Sequence, residues 1–444
     1  MLRNPIPSIA VMAISIMTGL HAGTPVYPLK VGPTQRYLVD QNNAPFLIHG
    51  ETPWSLIVEL SKPDAELYLE NRRRKGFNSV IVNLIEHKFA SNAPNNKEGE
   101  PPFLTPGDFS TPNEKYFAHA DWVIRQAADR GIQVLLAPCY LGYKGMDEGW
   151  YEEVKAAGPE KCRAYGRFVG SRYGKFDNLI WLIGGDRNPE DVMPQVLEMT
   201  EGIREADPRH LFSAHTAPEF APADVYAGES WLSVNNTYTY KLVHDLLFRD
   251  FNRAPAMPFF LIESTYEGEH NASSVQIRRQ AYWAILCGGC GQFMGNLPIW
   301  PFRKGWREAL DGRGSRDMVH LKSLFLSRRW HDLVPDRKHA AVTAGLGEFN
   351  GLDYLAAALM SDRSTLIAYM PTAREITVDL SKISGSRAKA WWFDPQTGKA
   401  QSAGEFKTGG PRSFTPPRDG DWALIIDDAS KQLPAPGSTS PAHD

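Results

Sequence analysis

The sequence predicts an α/β fold, a (β/α)8 TIM barrel followed by a small C-terminal all-β sandwich, and three observations carry that prediction. Short apolar runs alternate with amphipathic helical stretches eight times between about residue 30 and Pro335. Beyond Pro335 the helical spacing stops, and strand-like runs with turn signals follow one another to Asp427. The 444 residues suffice for a barrel of about 250 residues and a second domain.

The barrel elements read in order. Residues 46–50 form a first strand, and 63–75 a helix that stops at Gly76. The apolar run 80–85 is the second strand, followed by a long polar loop over 88–111 and a helix over 116–130 that ends at Gly131. The third strand is 133–138, with a helix at 160–173; the fourth is 179–183, with a helix at 192–205. Strands five and six are 211–214 and 232–238, the latter followed by a helix over 243–251. The seventh strand, 259–262, leads to a helix over 273–286, and the eighth, 292–295, to a closing helix over 315–333. In the second domain, runs at 366–369, 376–380, 390–393 and 422–426 read as strands, and Asp394-Pro-Gln-Thr-Gly398 as a tight turn between two of them. The barrel is bounded at 28–335 and the β domain at 338–428, and the Pro, Ser, Ala and Gly of 429–444 predict a disordered tail.

The N-terminus carries an export signal. Arg3 precedes an apolar run over 9–20 and then Leu20-His-Ala-Gly23. At about 12 residues the run is too short for a bilayer and right for a signal-peptide core, so residues 1–22 are expected to be removed on export to a bacterial periplasm or beyond. No other apolar stretch reaches the about 18 residues of a membrane span. A net charge of −3 gives no bulk attraction to nucleic acid, and 42% hydrophobic residues exclude general disorder.

Competing chemistries lack their parts. The chain has no Gly-x-Ser-x-Gly elbow, no phosphate-binding Gly-x4-Gly-Lys-Ser/Thr loop and no His-Glu-x-x-His pair. Cys287 and Cys290 have metal-ligand spacing but no second Cys/His pair nearby, which predicts buried apolar side chains, no metal and no cofactor.

A barrel places its active site at the C-terminal strand ends. Strand four ends in Gly184-Gly185-Asp186 and strand seven in Glu263. Two carboxylates facing each other across a barrel mouth suit glycoside hydrolysis, in which one protonates the leaving oxygen and the other attacks or activates water. Either one alone reads equally well as a helix cap or an ion-pair partner; the pair is the signal. Other polar or aromatic groups at strand ends fit a sugar cleft: Glu51 and Trp54, Asn83 and His87, Tyr140, His215, Asn235 and Tyr238, Asn296 and Trp300. Glu267 and Glu269 lie past the strand end and are expected to be solvated.

These residues carry a resemblance. Ile48-His-Gly-Glu-Thr-Pro-Trp54, Trp181-Leu-Ile-Gly-Gly-Asp186 and Ile262-Glu263 resemble the apiosidase-like glycoside hydrolases, a barrel group that includes glycoside hydrolase family 140. Trp392-Phe-Asp-Pro-Gln-Thr-Gly398, Phe414-Thr-Pro-Pro417 and Asp421-Trp422 resemble the small β domain that follows that barrel and is named for collagen binding in a collagenase. The resemblance spans about 28–428 and departs at Glu51, where the family usually has Asp. It implies Asp186 as acid/base, Glu263 as nucleophile, and release of apiose from branched pectin, rhamnogalacturonan II. The expectation is therefore an exported, retaining glycosidase acting on oligo- or polysaccharide. Alternatives are an arabinofuranosidase or other exo-glycosidase on the same barrel, a non-catalytic sugar-binding barrel, or an adhesive β domain on a scaffold. Retention requires the carboxyl groups about 5–5.5 Å apart, against about 6.5–9.5 Å for inversion. As the acid, Asp186 would need a raised pKa, and Arg187 would have to point away from it.

Overall fold

The computed structural model describes residues 24–438; the expected signal segment 1–22 and the residues after 438 lie outside the described residues. Eight parallel strands form the barrel: β1 (Ile48–Glu51), β2 (Ser79–Asn83), β3 (Gln133–Ala137), β4 (Leu179–Gly184), β5 (Leu211–His215), β6 (Asn235–Tyr238), β7 (Phe259–Glu263) and β8 (Gly291–Met294). Their order is β5-β4-β3-β2-β1-β8-β7-β6, the succession of a (β/α)8 barrel. These strands are nearly continuous apolar runs because both faces are covered, one by the barrel interior and the other by helices. The ladder is open between β5 and β6. There Asn236 closes the seam with its side chain, Nδ2 donating to Ser213 Oγ at 3.0 Å and to the Ala214 carbonyl at 2.6 Å.

The helices around the barrel are α1 (Lys62–Arg74), α2 (Glu114–Ala128), α3 (Tyr151–Tyr173), α4 (Met193–Ala206), α5 (Val243–Phe251), α6 (Ser274–Leu286) and α7 (Arg313–Leu326). Ser61 and Asn113 cap the first two by accepting from the Asp64 and Lys115 amides. Helix α3 begins nine residues before the expected 160, because the chain kinks at Gly158-Pro159 and resumes its helix instead of starting there. A three-stranded antiparallel sheet (Lys30–Val31, Leu38–Val39, Pro45–Phe46) precedes β1, and its Leu38 and Val39 join the same apolar cluster as Ile81, Leu135 and Ile180 inside the barrel.

The second domain is antiparallel throughout. Its strands are β9 (Leu333–Pro335), β10 (Val342–Ala344), β11 (Ala356–Met360), β12 (Thr365–Met370), β13 (Ile376–Asp379), β14 (Arg387–Phe393), β15 (Ala400–Lys407), β16 (Pro411–Phe414) and β17 (Trp422–Asp428). A six-stranded sheet, β9-β11-β12-β17-β14-β15, packs on a three-stranded one, β10-β13-β16, around Val342, Leu366, Val378, Trp392, Phe414 and Leu424. The other face of the large sheet lies on the barrel helices. Tyr369 stacks on Tyr282 of α6 at 4.3 Å, and Arg278 of α6 donates to both carboxylate oxygens of Asp421 at 2.7 and 2.8 Å. The predicted disorder after residue 428 needs correcting for 429–438. This stretch begins with a helical turn at Ala429–Lys431 and returns to α7, where Arg328 donates to the Pro434 carbonyl and Ser327 accepts from the Gly437 amide.

Candidate active site

The two strand-end carboxylates come together at the C-terminal mouth of the barrel. An oxygen of Asp186, a ring nitrogen of His215 and an oxygen of Glu263 lie within 4.8 Å of one another. Backbone geometry aims both acids. The β6–β7 register shifts between Leu261 and Glu263, a bulge that re-aims the last side chain of β7. Asp186 follows two glycines and itself sits in the left-handed region at φ +50°, a conformation that costs energy in a residue with a side chain and is held here by the surrounding bonds. Gly185 is required by close approach, since a Cβ there would fall 2.2 Å from the Tyr140 ring.

His215 sits between the acids, fully buried. The Asp186 backbone amide donates to its Nδ1 at 3.0 Å, which leaves Nε2 carrying the proton and donating to Glu263 Oε2 at 2.9 Å. One histidine thus fixes the backbone of one acid and the carboxylate of the other. Burial alone pushes the imidazole down, but the bond to Glu263 and the charges of Asp186 and Glu263 outweigh it and bring the ring above its ordinary pKa. Both ring nitrogens are committed, so the three residues do not present a free imidazole lone pair to a metal ion.

The acids differ in their donors. Glu263 accepts from His215 through Oε2 and from the Tyr240 hydroxyl through Oε1 at 2.9 Å. Burial, then the neighbouring Asp186 charge, raise its pKa, and these two donors partly offset the rise. Asp186 accepts from the Tyr140 hydroxyl through Oδ2, while its buried Oδ1 has no hydrogen-bond partner. Arg187 turns away from Asp186, its guanidinium stacked 3.3 Å over the Tyr151 ring and reaching Glu190.

Of the strand-end residues singled out in the sequence, Trp54, Tyr140, Asp186, Tyr238, Glu263 and Trp300 line one cleft of about 640 Å3, and His215 packs edge-on to Trp54 at 5.3 Å. Five others are directed elsewhere. Glu51, on the helix side of β1, is fully buried and held by Arg72 at 2.9 Å and Tyr68 at 2.6 Å, because its strand parity points it at α1. Asn83 donates to buried Glu86 at 3.2 Å. His87 bonds Glu153 at 3.0 Å in a separate, proline-rich pocket. Asn235 is at the start of β6, the opposite end from the mouth, accepting from the Ala223 amide at 3.1 Å. Asn296 donates to Glu267 at 3.1 Å. Neither Glu267 nor Glu269 is simply solvated: Glu267 also accepts from the Gly314 amide at the start of α7, and half-buried Glu269 accepts from Trp300 Nε1 at 3.2 Å on the cleft wall. The sequence reading missed Tyr240, Tyr266 and Glu148. Tyr240 stands two residues past Tyr238, so the two-residue alternation of an extended chain was the available signal. Tyr266 accepts from Trp54 Nε1 at 3.0 Å and so fixes that ring in the cleft.

Residues 33–332 match the family described as "Apiosidase-like, catalytic domain", and residues 334–427 that described as "Putative collagen-binding domain of a collagenase". No curated protein matches the chain. Among solved structures, a glycoside hydrolase is 27% identical with a TM-score of 0.80, covering 90% of this chain and 97% of its own. A glycoside hydrolase family 5 structure from Bacteroides vulgatus is 26% identical with a TM-score of 0.82, covering 93% of this chain and 96% of its own. No helix among the described residues is long and apolar enough to cross a membrane.

Proposed function

The chain belongs to the apiosidase-like family, whose matched region spans residues 33–332, and on that premise we propose that it is an exported, retaining glycosidase of plant cell-wall polysaccharide. The observation that carries the stereochemistry is the spacing. Oxygens of Asp186 and Glu263 within 4.8 Å of one another bring the two carboxyl groups close, which favours direct attack by a carboxylate over the wider spacing that inversion uses.

Glu263 is the nucleophile. Its two donors favour the anion, and its carboxylate attacks the anomeric carbon as the glycosidic C–O bond breaks. Asp186, whose carboxyl lines the cleft and accepts from the Tyr140 hydroxyl, gives its proton to the departing oxygen. The glycosyl ester on Glu263 is then attacked by water, Asp186 takes the water's proton, and Glu263 leaves as carboxylate with the anomeric configuration retained. Trp54, Tyr140 and Trp300 offer aromatic surfaces to the sugar. On family grounds the released sugar is apiose and the polymer a branched pectin, reached after export directed by residues 1–22.

The test is hydrolysis of a panel of aryl glycosides and pectic oligosaccharides, including apiosyl and arabinofuranosyl ones, with the product anomer read by NMR at early times. Wild type is expected to release one sugar with retained configuration, and Asp186→Ala and Glu263→Ala to fall by about 100-fold or more. An inverted product would overturn the nucleophile assignment, and arabinofuranosyl cleavage without apiosyl cleavage would replace the sugar.

A further inference from the structure

A groove of about 820 Å3 opens at the other end of the barrel from the cleft. Its wall includes Asn78 and Gly131, which lie just before β2 and β3 and so mark the N-terminal face. Helix α7 starts near the mouth, where the Gly314 amide meets Glu267, and runs back to bring Lys322 to this groove. The mechanism above uses none of these residues.

Lys322 is half-buried, and its Nζ donates to the Gly76 carbonyl in the turn after α1. Phe77 and Trp330 give the wall apolar surface around it. The carboxylates of the groove are engaged elsewhere. Glu70 accepts from Arg73 and Arg74 at 2.7 and 2.8 Å, and Asp40 accepts from the amides of Val26, Asn42 and Ala44. Among the described residues neither Asp129 nor any other carboxylate pairs with the Lys322 amine. Burial without a counter-charge pushes the Lys322 ammonium down to about 8. The buried His49 ring, stacked on Phe77 at 4.8 Å, is held neutral by burial and then by the Lys322 charge. A lysine removed from water and left without an anion is the environment that makes an amine a nucleophile.

We propose that Lys322 is a nucleophilic amine and that this groove is a covalent capture site for small neutral aldehydes. The lone pair of Nζ attacks the carbonyl carbon, and one amine proton passes to the carbonyl oxygen to give a carbinolamine. The second amine proton leaves with that hydroxyl as water, so a C=N bond replaces the C=O bond. Arg73 and Arg130 on the same wall stay protonated and have no lone pair to offer. Three cations, Arg73, Arg130 and Lys322, face three carboxylates, Asp40, Glu70 and Asp129, so the wall carries no net charge that would select an anion. The site stands apart from the glycosidase reading, because groove and cleft lie at opposite ends of the barrel.

Glycolaldehyde with cyanoborohydride tests it: the hydride reduces each imine to a stable secondary amine, and peptide mass mapping locates the adducts. In brief exposures of the folded chain at pH 7, Lys322 is expected to be labelled about ten- to a hundredfold faster than the exposed Lys304 and Lys338. Its rate should climb as pH rises through about 8, where the neutral amine forms. Lys322→Met should remove that adduct and leave labelling of the other lysines unchanged. Should that variant fail to fold, wild type in guanidinium chloride gives the same information, since unfolding should bring Lys322 down to the rate of Lys304. Equal labelling of Lys322 and the exposed lysines in the folded chain, or a lead of Lys322 that survives unfolding, overturns the proposal.

Discussion

At Glu263 two hydrogen-bond donors work against burial and the Asp186 charge, and one of them, Tyr240, can be removed without touching the other. In the double displacement the anion attacks, so activity is lost as pH falls through the Glu263 pKa. Tyr240→Phe removes a donor that lowers this pKa, so the acid limb of kcat/KM should move to higher pH. A pH–rate profile of both proteins checks it, and an unmoved acid limb would remove Tyr240 from the groups that tune Glu263. Gly185→Ala acts on the other acid: the added methyl would collide with the Tyr140 ring and displace the phenol that bonds Asp186. Activity should drop about tenfold or more, with the melting temperature lowered only modestly, and unchanged kinetics would mean that Tyr140 positions nothing. Residue by residue, the sequence was most legible where chemistry and position coincide. Asp186 and Glu263 each end a buried strand; Glu51 has the same chemistry at the same kind of position, but its strand parity sends it to Arg72. Parity is not visible in a four-residue strand whose neighbours are His and Gly.

Among the elements, the strand–helix succession was readable because each apolar run is short and bounded by Gly, Pro or a cap, and the observed barrel strands lie within three residues of the expected ones at each end. The seam between β5 and β6 was not. Val234-Asn-Asn-Thr-Tyr238 reads as a weak strand with sugar-binding polar groups, whereas Asn236 spends its amide holding the barrel closed. A polar residue in a strand looks the same whether it faces a ligand or replaces a missing ladder bond. Asn236→Ala leaves the buried Ala214 carbonyl and Ser213 hydroxyl without that donor, and should cost about 1–3 kcal/mol. Because His215 follows Ala214 directly, kcat should fall as well. Denaturant midpoints with an unchanged m-value check the first effect, and steady-state kinetics the second. A variant as stable as wild type would show that the seam is held by backbone contacts such as the Val234 amide on the Phe212 carbonyl.

Across the whole molecule, the change from strand–helix alternation to strands alone near Pro335 was plain in the sequence, but the strength of the junction was not. Arg278 precedes Arg279 in an amphipathic helix and reads as a surface charge, while its partner Asp421 lies 143 positions away. In the folded chain both are almost completely buried, Asp317 completes the cluster, and Arg328 makes a second two-pronged bond to Asp427. Tyr282 stacks on Tyr369, and buried Trp283 donates its Nε1 to the Tyr354 carbonyl across the same junction. Barrel and β domain therefore share core and buried charge, which couples their unfolding. Calorimetry should show one transition for the whole chain. Arg278→Met should lower that single transition by about 3–5 kcal/mol, because two buried carboxylates then lose their shared cation. Were the domains independent, two transitions would appear and the substitution would shift only one.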